Sequence, residues 1–239
     1  MAKKTDESIP NVPGELHEAP KQQPLHIRPL NTCTIRIPIV GLEPFVSHAF
    51  GRKAQEKLAA DQQKTSAEKR EAKKNRKPKD FEECYQDSMH VAGGKNGGWK
   101  GIPCGAFRNG MVRACKTAGV VMTDAKMALM LRADGYDRAD QTPLVRITEG
   151  EPHMDLRYAR NDDGSTDMRA RAMWEPAWKA VITIEYDSDL IKAESVVNLL
   201  ERMGRQVGVG EGRNFSPHSC GMGWGSFMVD RKAVIEESR

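Results

Sequence analysis

The sequence of 239 residues has few of the features that mark secreted, membrane-spanning or metal-dependent proteins. It contains no run of roughly 18 apolar residues, which a membrane-spanning helix requires, and its first residues contain no apolar signal-peptide core. The five cysteines form no C-x-x-C pair, a spacing typical of zinc ligands and disulfide exchange. We therefore expect a cytoplasmic protein in a reducing compartment, with no membrane partner, no metal and no cofactor.

Residues that could carry covalent catalysis are also scarce. No nucleophile motif such as G-x-S-x-G occurs, and the six histidines are dispersed. His48 is the best candidate for a general acid or base, but a packed or phosphate-contacting histidine explains it better. His218 and Cys220 form only a weak potential metal pair, and turn chemistry accounts for Asp162 and Asp163. These observations predict that the protein is not an enzyme.

Positive charge is concentrated in one segment of the chain. Between Arg52 and Asp80 there are 11 Lys and Arg against 5 Asp and Glu, a local net charge of +6 that exceeds the +4 of the whole chain. The segment is rich in strong helix formers but has almost no apolar stripe, so we expect a helix that projects into solvent. Such a helix either grips a phosphate backbone or is simply a solvated surface.

Hydrophobic patterns outline the core elements. Residues 1–30 contain five prolines among polar residues, which predicts a disordered arm. Pro38 in the first strand suggests an edge or a bulge, Pro103 suits the first turn of a helix, and Gly204 is expected to terminate a second helix. The expected strands are 32–40, 144–147, 178–186 and 224–229, and the expected helices are 101–118 and 196–203.

Two groups of polar side chains stand out from this pattern. Helical spacing places Asn109, Arg113 and Lys116 together on the outer side of the first helix. A hairpin with its turn at residues 161–164 alternates apolar residues with Arg169 and Arg171 on its returning arm, so one face is apolar and the other cationic. Arg157 and Arg160 lie on the outgoing arm. Arginine suits phosphate contacts and base stacking, but nearby aspartates offer simple salt bridges instead.

The order of the elements predicts the fold class. Strand, helix, strands, strand, helix and strand in this order match the split β-α-β arrangement of a ferredoxin-like sheet. We therefore expect an α+β protein with a ferredoxin-like (RRM-type) antiparallel sheet, two packing helices, an inserted basic helical thumb and a β-hairpin. Residues 31–239 would form a single domain with insertions at about 52–100 and 153–174.

A glycine-rich segment precedes the last strand. Residues 204–225 contain seven of the 21 glycines, and a backbone without side chains can approach a ligand closely and offer its N–H groups to phosphates. The segment follows a helix and enters a strand, which is the reverse of a Rossmann fingerprint or a P-loop. It therefore predicts either a nucleic-acid contact or a mobile surface loop, and argues against a nucleotide cofactor.

Three segments together resemble the RAMP superfamily, the RRM-like proteins that include backbone subunits of CRISPR effector complexes. The similar segments are IPIVGLEPFVSHAFGRKA (37–54), GIPCGAFRNGMVRAC (101–115) and VGVGEGRNFSPHSCGMGWGSF (207–227). Relatives encoded by phages and prophages are the most similar in kind. The sequence departs from their usual tryptophan and proline at Gly212 and Asn214, and from a common arginine at Ser226.

The resemblance implies a ferredoxin-like palm, an inserted thumb and head-to-tail association of many copies along one nucleic-acid strand. A heterologous contact that does not close generates a filament, consistent with such an assembly. Either residues 52–100 or residues 153–174 would form the thumb. The residues that would face the strand by this resemblance are His48, Arg52, Lys53 and the loop 208–213 with Arg213.

These observations predict a non-enzymatic protein of phage or prophage origin that binds single-stranded RNA or DNA and oligomerises along it. The candidate nucleic-acid-binding residues are His48, Arg52, Lys53, Lys100, Arg108, Arg113, Lys116, Arg157, Arg160, Arg169, Arg171, Gly208, Gly210 and Arg213. Three other functions stay open: a metal-independent RNA endonuclease, a protein that anneals complementary single strands, and a virion or inhibitor protein that uses the fold for protein contacts. No motif distinguishes RNA from DNA.

Overall fold

A computed structural model describes residues 27–49, 51–66, 68, 71, 78–93, 98–160, 164–216, 219–233 and 236–238. The side chains of residues 52–54, 57, 159, 160, 236 and 237 are outside this description. Most of the expected N-terminal arm, residues 1–26, also lies outside the described residues. Asn31–Arg239 cluster as one compact unit.

Two long strands at the centre of the fold form because apolar residues alternate with others along them. In β1 (Thr32–Gly41) every second side chain from Cys33 to Ile39 is buried. In β10 (Lys179–Asp187) the same alternation buries Ile182 and Ile184. The two strands pair antiparallel along their whole length. Both predicted strands are thus confirmed, with nearly the expected ends.

Further strands extend this pair into a nine-stranded sheet within the described chain. They are β3 (His90–Ala92), β4 (Trp99–Pro103), β5 (Leu129–Arg132), β6 (Gly135–Tyr136), β7 (Pro143–Glu149), β11 (Phe227–Val229) and β12 (Glu236–Ser238). Hydrogen-bonded neighbours follow the order β11–β1–β10–β7–β4–β3, while β5 pairs with β10, β6 with β7 and β12 with β1. All of these pairs are antiparallel.

Pro38 lies between two short edge strands. On one side of β1, β12 pairs with Thr34–Arg36 and β11 pairs with Ile39–Gly41. The Pro38 carbonyl accepts a hydrogen bond from Asp230 N–H at 2.9 Å on that side. A backbone N–H at position 38 would point to the same side, into the gap between the two strands, so the missing N–H of proline breaks no strand pairing. β1 is therefore not an edge strand, as one interpretation of Pro38 expected, because β10 pairs with one side of it and β11 and β12 pair with the other. Pro38 is accommodated in the gap between these two short strands.

Two helices, α3 (Cys104–Ala118) and α5 (Ala193–Gln206), pack against each other and bury apolar residues in the same core as β1 and β10. Phe107 and Met111 are fully buried, as the helical spacing predicted. Asn109, Arg113 and Lys116 are exposed, also as predicted. The Phe107 ring lies 5.8 Å from the Phe227 ring, which ties α3 to the edge strand β11. The chain is therefore α+β with antiparallel sheets, as expected.

The start of α3 differs from the prediction. Residues 99–103 do not begin the helix but form β4, in which Gly101, Ile102 and Pro103 pair with β7. Pro103 is both the last residue of β4 and the N-cap of α3. No loop separates the strand from the helix, so Gly101 and Pro103, which suggested a helix start, belong to a strand.

Gly204 does not end α5, as the sequence suggested, because the helix continues to Gln206. A Cβ at position 204 would lie 2.3 Å from the Phe227 carbonyl oxygen. Glycine is therefore needed for the close approach of β11 to the helix. The closing strand is also shorter than predicted, since it begins at Phe227 rather than Trp224.

A second sheet of three strands contains the expected hairpin. It consists of β2 (Phe45–Ser47), β8 (Pro152–Arg160) and β9 (Thr166–Trp174), in the order β2–β9–β8. The two arms pair as the expected hairpin, but burial does not alternate along β9, because residues 170–174 are all buried, Arg171 among them. The outer apolar residues are open to solvent: Leu156 is 45%, Tyr158 77% and Met168 40% exposed. Residues 161–163 of the expected turn lie outside the described residues.

Three more helices have bounds within the described residues: α1 (Arg52–Gln63), α2 (Phe81–Asp87) and α4 (Met122–Ala128). Every described side chain of α1 is exposed or half-buried, including Leu58, as its lack of an apolar stripe predicted. Within the described part of the chain, no helix combines the length and apolar character needed to cross a lipid bilayer.

Candidate functional site

Helix α3 and the glycine loop, residues 207–213, enclose two adjoining cavities. The first cavity, of about 320 Å³, is lined by Phe45, Ser47, His48, His90, Ile102, Pro103, Ala106, Gly210, Glu211 and Arg213. The second cavity, of about 180 Å³, is lined by Gly105, Ala106, Asn109, Gly110, Arg113, Val207, Gly208, Val209, Arg213 and Phe215. Ala106 and Arg213 line both cavities, so the two cavities are neighbours. Together they are called the groove below.

The backbone of the glycine loop is held by the protein itself. Gly208 N–H donates to the Met203 carbonyl at 2.9 Å, Val209 N–H to Gly225 at 3.0 Å, and Glu211 N–H to Val46 at 3.0 Å. These three donors are already used, so they do not offer the open phosphate cradle that the sequence suggested.

The glycines of the loop serve internal packing as well. Gly210 has a φ of +76° and a Cβ there would lie 2.4 Å from the Val46 carbonyl oxygen. Gly212 has a φ of +70°, and a Cβ there would lie 2.5 Å from the Trp224 ring. Such backbone angles and contacts exclude other residues. Gly208 and Gly210 nevertheless line the groove, as candidate contact residues should.

An ion-pair network joins the loop to the hairpin. Arg171 Nη1 lies 2.6 Å from Glu211 Oε1, and Arg171 Nη2 lies 3.4 Å from Asp155 Oδ2. The Arg171 side chain is only 6% exposed, so it stabilises the wall of the groove rather than its open surface. His48 Nδ1 lies 3.0 Å from Glu211 Oε2, an ion-pair distance without good hydrogen-bond alignment.

This network controls the ionisation of Glu211. Burial disfavours the charged carboxylate, but His48 and Arg171 outweigh this effect and lower the Glu211 pKa to about 2. Glu211 is the one acidic residue of the segment 207–227, and the sequence analysis did not single it out. The signal that could have identified Glu211 is that it is a single acidic residue in a segment expected to contact phosphates.

Trp224 fills the space between the hairpin and the glycine loop. The Arg157 guanidinium lies 4.9 Å from the Trp224 ring centroid and that of Arg171 lies 5.8 Å from it. Arg157 Nε also lies 2.6 Å from Asp155 Oδ1. The cationic face of the hairpin is therefore turned towards the loop, and its arginines are largely engaged by aspartate, glutamate and tryptophan.

The first cavity contains two histidines that each face a carboxylate. His90 Nδ1 lies 2.7 Å from Asp137 Oδ2, and Asp137 is held in turn by the Ala139 N–H at 2.8 Å. His48 faces Glu211 through the same ring atom, Nδ1. For both rings, Nε2 has no hydrogen-bond partner in the part of the chain that the structure describes. The sequence analysis identified His48 but not His90, since no motif or periodicity marks an isolated histidine.

The second cavity contains an aromatic ring and two arginines. Phe215 is 51% exposed, and the Arg113 guanidinium lies 5.4 Å from its ring centroid. Arg213 Nη1 donates to the Gly210 carbonyl at 2.8 Å and its Nε to the Phe215 carbonyl at 3.4 Å. Arg213 thus shapes the loop and lines the groove. The sequence analysis singled out both arginines but not Phe215.

The other candidate residues lie away from the groove or behind its wall. Lys116 is exposed on α3. Lys100 Nζ pairs with Glu151 at 3.3 Å, and Arg108 donates to the carbonyls of Lys126 and Leu129. Arg169 Nη1 lies 3.8 Å from Glu211 Oε1. The side chains of Arg52, Lys53 and Arg160 are outside the described structure, as is His218.

Metal ligands do not gather at this site. Across the described residues, no group of three or more His, Cys, Asp and Glu side chains could hold a metal ion. All five cysteines are free thiols.

Comparison with known proteins gives no family assignment. No protein-family model matches the chain, and no curated protein matches it either. Two residues of the glycine-rich segment contact each other: Asn214 Nδ2 donates to Ser226 Oγ at 3.1 Å. This hydrogen bond closes the base of the glycine-rich segment, where Ser226 Oγ donates in turn to the Gly223 carbonyl at 2.7 Å.

Proposed function

We propose that this protein binds single-stranded RNA or DNA in the groove, without covalent chemistry. The observation that carries the proposal is that Arg213, Arg113 and the half-exposed Phe215 line the same cavity of the groove. Arginine neutralises backbone phosphates and releases counterions, while an aromatic ring stacks on unpaired bases of any sequence. A groove with both elements suits a single strand better than a duplex, whose bases are already stacked.

The proposal includes a ferredoxin-like core. The strand order β11–β1–β10–β5 and the placement of α3 and α5 on one face of the sheet support it. Together with the segments that resemble the RAMP superfamily, this arrangement supports the proposal that the protein is related to phage and prophage proteins and acts in the host cytoplasm.

Oligomerisation along the strand is a further part of the proposal. The outer half of the hairpin exposes Leu156, Tyr158 and Met168 on one side, and such a patch on a small protein is typical of an interaction site. A heterologous contact of this patch with another copy would produce the head-to-tail assembly. This supports the hairpin, rather than residues 52–100, as the thumb.

Binding is tested with fluorescently labelled single-stranded RNA and DNA of equal length, by anisotropy over a salt series. We expect tight binding at low salt that weakens steeply as salt rises. Arg113→Glu should abolish most of this binding. Arg202→Glu is the matched control, because Arg202 is an exposed helical arginine that lines a different cavity. Equal binding by the two variants, or no binding by the unaltered protein, would overturn the proposal.

A second candidate function, metal-independent RNA cleavage, is favoured by His48 and His90 in the first cavity. In this reaction one histidine takes the proton of a ribose 2′-hydroxyl, whose oxygen bonds to the adjacent phosphorus. The bond from phosphorus to the 5′ oxygen breaks, and the other histidine gives that oxygen a proton. Glu211 and Asp137 would orient the two rings, and the products would be a 2′,3′-cyclic phosphate and a 5′-hydroxyl.

Cleavage is tested by incubating RNA with the protein in the presence of a metal chelator. If the protein cleaves RNA, it should produce cyclic-phosphate ends, and both His48→Gln and His90→Gln should abolish their formation. His153→Gln is the control, since His153 lies on the hairpin within 3.6 Å of Glu175. RNA that stays bound but intact after long incubation excludes this candidate and leaves the binding function in place.

A further inference from the structure

The second cavity has a size that suits one small flat group. Its volume of about 180 Å³ is below the roughly 300–1,000 Å³ of pockets that take drug-sized ligands. The chain of a nucleic acid would therefore pass along the groove, and only one of its bases would enter this cavity.

Helix α3 contributes both small and polar residues to this cavity. Gly105, Ala106 and Gly110 are the small ones, and a Cβ built at Gly105 would meet no atom within 4 Å. Gly105 therefore faces open space. Gly110 packs against Met203, because a Cβ built at position 110 would lie 2.4 Å from the Met203 side chain. The cavity is thus open at the Gly105 end, beside the first cavity.

The opposite wall offers a ring that is held in place and still half exposed. Phe215 N–H donates to the Val207 carbonyl at 3.3 Å, and the Arg113 guanidinium lies over the ring at 5.4 Å. A large apolar ring left 51% exposed in a cavity beside cations has unused stacking surface.

Polar groups for the rest of a nucleotide surround this ring. Asn109 precedes Arg113 by about one helical turn, so both lie on the same side of α3, and both line the cavity with Arg213. The two guanidinium groups suit the flanking phosphates. The Asn109 amide provides one donor group and one acceptor for the edge of a base.

We infer that the second cavity is a nucleobase site, in which one unpaired base of the bound strand stacks on Phe215. This inference rests on the proposed function and deepens it, because it separates base recognition at Phe215 from phosphate recognition at the arginines. The site accepts any base, since every base presents a flat aromatic face.

The test compares two probes of the same length, a normal single-stranded oligonucleotide and one that carries the same backbone without bases. Phe215→Ala and Phe215→Leu should each weaken binding of the normal probe by about tenfold and leave binding of the abasic probe unchanged. Phe215→Leu is the sharper variant because it keeps an apolar side chain but has no aromatic face. Phe215→Trp should retain affinity, and its fluorescence should be quenched by the normal probe only.

A second variant tests the cavity from its other wall. Gly105→Leu adds a side chain in open space, so it should fold normally while it fills the base site. It should therefore repeat the selective loss on the normal probe. Thermal unfolding of each variant checks that the fold is kept.

The outcomes separate the two proposals. An equal loss on both probes, or no loss in Phe215→Leu, would overturn the nucleobase site while the groove stays a phosphate-binding surface. Failure of the unaltered protein to bind the normal probe at low salt would overturn the proposed function itself. Selective loss in the Phe215 and Gly105 variants would support both.

Discussion

Arg171 Nη1 and Glu211 Oε1 lie 2.6 Å apart and connect β9 of the hairpin to the glycine loop. Arg171 is buried and Glu211 is half-buried, and each has a second partner, Asp155 for the arginine and His48 for the glutamate. The hairpin, the loop and the end of β2 therefore share one electrostatic network. The position of the hairpin therefore depends on the same ion pairs as the glycine loop that lines the groove.

Glu211→Gln should destabilise the protein in a pH-dependent manner. The folded state lowers the Glu211 pKa from 4.5 to about 2, so the stabilisation is present above about pH 4.5 and is lost as the pH falls towards 2. At pH 7 the variant should lose about 1–3 kcal/mol, because Arg171 loses a charged partner. The loss should shrink at about pH 3. Urea unfolding at both pH values measures it.

Glu151→Gln is the matched control for this experiment. Its side chain is 90% exposed and pairs with Lys100 at 3.3 Å. An exposed pair of this kind should contribute less than about 1 kcal/mol at any pH. A Glu211 variant that behaves like this control would contradict the stabilising role of the network.

Two glycines of α3 should respond in opposite directions to alanine. Gly105→Ala should be neutral or should stabilise by up to about 1 kcal/mol, because alanine favours a helix and meets no neighbour here. Gly110→Ala should destabilise by about 1–3 kcal/mol, because its Cβ would lie 2.4 Å from Met203 Cε. Thermal unfolding of the pair compares them, and equal shifts would contradict the packing between α3 and α5.

Arg113→Ala should change the salt dependence of binding rather than its sequence preference. If Arg113 contacts one phosphate, the slope of log affinity against log salt should fall in magnitude by about 1. Affinities for oligo-A, oligo-C and oligo-U should fall by similar factors. An unchanged slope would place Arg113 outside the phosphate contacts.

Cys220 should react first with a thiol reagent in the native protein. Cys220 is exposed, whereas Cys33, Cys104 and Cys115 are buried. Burial also raises the pKa of Cys104 to about 11 and that of Cys115 above its ordinary value, which lowers their thiolate fraction. Timed labelling and mass spectrometry should show one fast site, which Cys220→Ser removes. Fast labelling of Cys104 would contradict its burial.

Local patterns were sufficient to predict much of the core. Buried side chains alternate along β1 and β10, and Phe107 and Met111 are buried at helical spacing. Both patterns are visible in the sequence itself, so they predict the strands and the helix directly. β4 was missed because Gly101 and Pro103 imitate a helix start, and only pairing with β7 makes this segment a strand. Gly204 was misread for a related reason, since its close contact with Phe227 comes from a distant part of the chain.

The site could be predicted only in part from the sequence. Arg113 and Arg213 were identified because charge type and spacing suggested phosphate contacts. His90, Glu211 and Phe215 were missed, since each is an isolated residue that gains its meaning from neighbours far away along the chain. Arg171 was identified as a surface contact, but its pairing with Asp155 and Glu211 depends on the tertiary fold.

The direct junction of β4 and α3 at Pro103 fixes the rotation of the helix about its own axis. One residue inserted there would turn every later side chain of α3 by about 100°. Arg113 and Asn109 would leave the groove, and Phe107 would leave the core. We therefore expect changes of chain length to be tolerated after Ala118, where a loop follows, but not immediately before Cys104, because the strand there sets which face of α3 lines the groove.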